Sequence, residues 1–276
     1  MRLDVVTLET RTLRVGVLNY GARLVELSYK VHNQWINTIL CYASLSSFLS
    51  DEAYLNAVVG PHAGRIKKGE YLDGEHWEKL DVDESGNHLH GGVSGLSAQW
   101  FSLVKEENTV VALLTTETCQ YRIRYHLMDD KLDISMEAIP LVRMIINLTQ
   151  HTYFTLGADS IRRLFLRVNS KNIYALDDTG VPASRFETAG TVFDFNQYKS
   201  LGQSLNEDDS QFRISKHIDH PFQIKDHCLN LYNPDNSIML TVSFDCEFAV
   251  LYFGNYLGDS GRLLDTQKPL EDFGGI

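Results

Sequence analysis

The chain has 276 residues, 43% of them apolar and 22% charged, with a formal net charge of −11 at neutral pH. That length suits one large domain spanning 1–276, and the excess of acid speaks against nucleic acid or an anionic membrane as partner, since both need clustered positive charge. Arg2, Asp4 and Glu9 break any apolar run at the start, and Cys41, Cys119, Cys228 and Cys246 show no C-x-x-C spacing, so no secretory leader, membrane span, zinc site or disulfide framework is expected and a cytoplasmic setting is.

Strand signals dominate from the beginning. Leu13, Val15, Val17 and Leu18, then the turn Asn19-Tyr20-Gly21, then Leu24, Val25, Leu27 and Tyr29 predict an opening hairpin. A short helical piece is expected near 46–55, where Ser50 and Asp51 are candidate caps. The stretch 60–74 is rich in glycine and carries Arg65, Lys67 and Lys68, without the spacing of a phosphate loop. Its Gly64-Arg65 step suits a guanidinium aimed into a pocket. In the centre, Tyr121, Ile123, Tyr125 and Leu127 alternate with Arg122, Arg124 and His126; after Asp129-Asp130 the alternation resumes with Leu132, Ile134, Met136 and Ala138. This predicts an antiparallel hairpin with one buried face, extended into a meander by 110–114 before it and 145–154 after it. Further strands are expected around 164–174, 238–244 and 248–253, with a turn at 177–182 and an acidic exposed loop at 204–210. Many modest strands, tight turns and scarce helical periodicity predict an all-β chain, a large antiparallel β-sandwich.

The chemistry concentrates at 147–157. Read as a strand, this stretch puts Asn147, Thr149, His151 and Tyr153 on one almost wholly polar face. Such a face suits a wet cavity that binds something hydroxylated. Asp219 stands between His217 and His220, a trio that could suggest a metal, but on a strand the aspartate points away from both histidines. Trp77, Trp100 and Phe154 are candidates either for stacking on a sugar face or for the core.

The run His151-Thr152-Tyr153-Phe154-Thr155-Leu156 resembles the H-x-Y-F-N-L element of the aldose 1-epimerase family. Three further runs follow that family's order: Gly60-Pro61-His62-Ala63-Gly64-Arg65-Ile66, Asn87-His88-Leu89-His90-Gly91-Gly92 and Ile218-Asp219-His220-Pro221-Phe222. The resemblance implies the galactose mutarotase type of β-sandwich, with a free hexose bound on a concave sheet face and its anomers interconverted through the open chain, without a cofactor or a metal. It implies His151 as general acid, His90 as partner near the ring oxygen, and Arg65, Asn87 and Asp219 as substrate-binding residues, with Asn87 and Gly91-Gly92 also shaping the loop that presents His90. It places the family's catalytic glutamate shortly after a Gly-Gly-Ile-like triplet, and this sequence ends Gly274-Gly275-Ile276. The base and the closing strands are therefore expected to be missing from these residues, with a non-catalytic sugar-binding protein as the alternative and a hexose-phosphate enzyme a third possibility.

Overall fold

The computed structural model describes residues 2–83, 85–258 and 262–276. Its backbone divides into two compact units: one comprises 1–152 with 262–268, the other 153–261 with 269–276.

In the first unit the opening hairpin forms as the alternation predicts, from Leu13–Leu18 and Arg23–Val31, and is completed by Val5–Glu9 on one side and Gln34–Asn37 on the other. A second four-stranded antiparallel sheet runs Ser102–Glu106, Thr109–Thr115, Cys119–Met128, Lys131–Pro140. Tyr121, Ile123, Tyr125 and Leu127 face inward, while Arg122 and Arg124 face out. Each large apolar side chain buried this way contributes about 1.5–3 kcal/mol. His126, on the outward face, is half-buried with Nδ1 2.8 Å from the Thr109 hydroxyl.

The meander ends at Pro140. The segment 145–154 does not extend it; only Thr149–Gln150 is strand, and it pairs with Val58–Val59. A row of polar side chains fixes which face is wet but not which neighbour is paired. The helical piece is a 3₁₀ turn, Leu45–Ser50, with Ser44 as N-cap and Asp51 as C-cap; the Asp51 carboxylate also accepts the amides of Ala53 and Leu55 in the turn that follows, while Ser50 caps nothing. Short ribbons pair Arg65–Ile66 with His88–Leu89 and Glu70–Asp73 with His76–Lys79. Trp77, on the latter, is exposed, whereas Trp100 packs its ring 5.1 Å from Tyr20.

The second unit is built on the long strand Asp219–Asn233, which pairs with Phe165–Leu176, Ile238–Ser243 and Phe248–Tyr252. Pro182–Glu187 and Lys199–Ser200 complete this six-stranded sheet. Its core gathers Phe193, Phe195, Phe212, Phe222 and Phe253 around His217 and His220. The acidic loop is less exposed than expected: Ser204 is buried, Leu205, Glu207 and Asp209 are half-buried, and Glu207 binds Lys199 at 2.6 Å. Phe154 is half-buried, and its backbone exchanges two hydrogen bonds with Ile276. Among the described residues no helix is long and apolar enough to cross a membrane.

Tyr125 tests the packing of the first unit. Its ring is fully buried, its hydroxyl donates to the Ala22 carbonyl, and burial pushes the phenol pKa far up. Tyr125→Phe leaves that carbonyl unsatisfied, so urea unfolding is expected to show a loss of about 1–3 kcal/mol; an unchanged midpoint would refute the assignment.

Candidate active site

Residues 147–151 run alongside 56–63 in the first unit. The Asn147 amide donates to the Pro61 carbonyl and the Ala63 amide to the Asn147 carbonyl, while at the other end His151 and Asn56–Ala57 exchange bonds of 2.8 and 2.9 Å. The period-two reading holds this far: Asn147 and Thr149 are exposed, and His151 is half-buried on the same side. Beyond Thr152 it fails. Tyr153, expected on the wet face, belongs to the second unit, is 3% exposed and meets Tyr252 edge-on.

His90 arrives from the opposite direction. The strand His88–Leu89 pairs with Arg65–Ile66, and His90 follows at φ 53 with Gly91 at φ 93. A side chain at Gly91 would put its Cβ 2.0 Å from the Gly60 carbonyl oxygen, so only glycine lets the turn lie against that backbone. The Gly64 amide donates to His90 Nδ1 at 3.2 Å. In the neutral ring Nδ1 is thus the acceptor, and the proton sits on Nε2.

The two imidazoles meet. Their ring centres are 5.2 Å apart at 87°. Tyr54 packs against both, 4.7 Å from His90 and 5.8 Å from His151. Burial, then the neighbouring His151 and Arg65, hold the His90 pKa well below the usual histidine range. Burial likewise pushes His151 down to about 4, opposed by its own backbone and by Asp51. Both rings are neutral at pH 7, when each offers one donor and one acceptor. Arg65 is half-buried beside them; burial and the nearby acids Asp83 and Asp51 raise the Tyr54 phenol pKa, with the Arg65 charge opposing them.

Asn87 sits differently from a residue facing a ligand. It is 2% exposed, and its Oδ1 accepts the Lys68 amide at 3.0 Å. Its visible work is to hold the loop. Asp219 opens the long strand of the second unit, half-buried and paired with Tyr252 in register. Its flanking histidines are core groups: His217 stacks 4.0 Å from Phe212, and His220 accepts the Asp219 amide on Nδ1. Among the described residues no three histidine, cysteine or acidic side chains are grouped to hold a metal. A surface hollow of about 560 Å³ in the second unit, lined by Thr191, Asp194, Tyr198 and Lys199 among others, contains none of the residues singled out in the sequence.

Tyr54, His62, His88 and Asp81 were not singled out as site residues. His62 and His88 lie inside the quoted motifs, but Tyr54 and Asp81 carry no local signal; tertiary packing alone brings them in.

The aldose 1-epimerase family model matches residues 4–272. The chain belongs to the aldose 1-epimerase family. It is 26% identical to the aldose 1-epimerase of Escherichia coli (strain K12), over 95% of this chain and 81% of that protein. The galactose mutarotase of Sus scrofa is also 26% identical, over 91% of this chain and 77% of that protein. Among solved structures, the galactose 1-epimerase from Lactobacillus acidophilus NCFM superposes with a TM-score of 0.83 at 28% identity, covering 99% of this chain and 84% of that one. A GalM/aldose epimerase homologue from C. elegans gives a TM-score of 0.89 at 20% identity, covering 99% and 88%. The all-β expectation thus resolves to the galactose mutarotase type of β-sandwich.

His220 supplies the pH test. It is fully buried, and burial pushes its pKa down to about 4, against about 6.5 in the unfolded chain. The unfolded state therefore binds the proton more readily; this contribution is complete above pH 6.5 and declines as the pH falls toward 4. Urea midpoints are expected to drop across that window, by about 1.4 kcal/mol per pH unit from His220 alone, and the slope should be shallower in His220→Gln. Equal slopes in the two proteins would overturn the assignment.

Proposed function

We propose that the protein is an aldose 1-epimerase acting on a free hexose of the galactose and glucose class, with His151 as general acid and His90 as its partner near the ring oxygen or an adjacent hydroxyl. The observation that supports this reading is the pair of neutral imidazoles held 5.2 Å apart, with an arginine on the strand beside them. Mutarotation needs a base to take the proton from the anomeric hydroxyl while an acid gives one to the ring oxygen; rotation about C1–C2 and reversal of the roles closes the other anomer. A sugar oxygen can accept a hydrogen bond from Nε2–H of His90, whose orientation the Gly64 amide fixes. The planar donors of Arg65 grip hydroxyls. Asn87 acts on the sugar only through the loop it holds.

The resemblance assigns the base to a glutamate; His151 supplies the acid, His90 its partner and Arg65 the grip. The low pKa of His151 fits a division of labour. A carboxylate brought beside a buried neutral imidazole raises its pKa, so the acid becomes competent when the base is in place.

The decisive experiment combines calorimetry and polarimetry on this protein with galactose. Galactose is expected to bind, anomer exchange to be accelerated, and His151→Ala to cut the accelerated rate by about 10²–10⁴-fold. Equal rates with and without His151 would remove it from the mechanism. Binding with no acceleration would favour a non-catalytic sugar-binding protein.

A second test addresses the grip. Arg65→Lys keeps the charge but loses the planar fork, and calorimetry is expected to show galactose affinity about tenfold weaker. An unchanged affinity would take Arg65 out of the site.

A further inference from the structure

Three side chains that the proposed mechanism does not use form a hydrogen-bonded line beside His90. His62 and His88 are 6% and 2% exposed, and His62 Nδ1 lies 3.2 Å from His88 Nε2. On its far side, His88 Nδ1 lies 2.8 Å from the Asp81 carbonyl oxygen and 3.1 Å from Asp81 Oδ1. The other oxygen of that carboxylate accepts the Val93 amide at 2.8 Å. It lies so close over Gly92 that a Cβ there would be 2.1 Å from it.

The protons can be assigned from chemistry. Both neighbours of His88 Nδ1 are oxygens that can only accept, so Nδ1 carries the proton. In the neutral ring Nε2 is then a lone pair and takes its bond from His62 Nδ1–H. Burial and the His88 ring lower the His62 pKa, with Asp81 and a hydrogen bond to the Ile145 backbone opposing them.

The line crosses the three segments that frame His90. His62 stands two residues before Gly64, the donor to His90 Nδ1, and three before Arg65. His88 stands two residues before His90, on the strand paired with Arg65–Ile66. Asp81 grips the chain just after the Gly91-Gly92 turn. We propose that Asp81, His88 and His62 form a positioning relay that sets the spacing between the Gly64-Arg65 segment and His90, and through it the affinity for the sugar. None of the three touches substrate; each acts through His90 or Arg65. The affinity half of this inference rests on the function proposed above, whereas the relay itself does not.

The test uses His62→Leu, which removes the donor, and His62→Asn, whose amide can donate from nearly the same place as Nδ1. Amide hydrogen exchange at Gly64, with the buried Ile123 amide as the measure of global stability, should be about tenfold faster in His62→Leu and close to the parent rate in His62→Asn. In calorimetry, galactose should bind about tenfold more weakly to His62→Leu and nearly as tightly as the parent to His62→Asn. Nitrogen-15 NMR of the parent should show His88 protonated on Nδ1 and bare on Nε2, and Asp81→Asn, altered at an exposed side chain, should disturb that pattern. A His88 protonated only on Nε2, or Gly64 exchange that moves only in step with Ile123, overturns the relay. A parent protein that binds no galactose overturns the proposed function and leaves the exchange and NMR results to decide the relay.

Discussion

A single buried ion pair organises the ground on which the histidines stand. Arg23 and Asp51 lie 3.2 Å apart with side chains 2% and 0% exposed. The carboxylate also accepts the Tyr42 hydroxyl at 2.7 Å and the amides of Ala53 and Leu55. The guanidinium donates to the Ser97 carbonyl and lies over the rings of Tyr20 and Phe48, yet its Nε and Nη1 have no hydrogen-bond partner. Such a pair adds little net stability, because desolvating two charges offsets most of their attraction. Removing one partner is another matter, since the survivor is a charge with no water. The effect of the pair is therefore conformational. Segment 51–56 takes an arrangement that keeps Asp51 satisfied.

That arrangement carries strain to the site. Tyr54 and Asn56 both adopt positive φ, 54 and 55, a region asparagine tolerates but one that is unusual for a bulky tyrosine. Asn56 repays it by bonding in three directions: its side chain donates to the Leu40 carbonyl, its amide to the His151 carbonyl, and its own carbonyl accepts Gln150 Nε2. Tyr54 is thereby packed against both His90 and His151. The same packing that orients the two imidazoles removes water from them, and removal of water is what lowers their pKa values. Geometry and protonation state thus have one cause.

The hairpin from Cys119 to Pro140 was legible in the sequence because its period-two pattern is local and unbroken, and the same holds for the opening hairpin. The pairing of Thr149–Gln150 with Val58–Val59 was not, because the choice of partner lies some ninety residues away in the chain. His90, His151 and Arg65 could be named from motifs, which record chemistry. Tyr54 and Asp81 could not, for their contribution is to hold other residues, and a tyrosine in an irregular stretch looks the same whether it packs on a histidine or on solvent. Asn87 shows the converse: a polar residue in a chemical motif whose side chain is spent on the Lys68 amide.

Why the site is built on loops follows from what its rings must do. An imidazole on a regular strand would present its edge at the pleat's fixed angle and spacing, whereas His90 and His151 face each other at close to a right angle. His90 reaches that angle by leaving its strand after two residues and turning through positive φ at 90, 91 and 92. Turns of this kind lack a ladder of their own, so neighbours must hold them: Gly60 beneath Gly91, Gly64 on the imidazole, and the Asp81 carboxylate over Gly92. The precision of the pair therefore depends on contacts between loops, and a change that loosens any of them should be felt at His90 while the sheets remain folded.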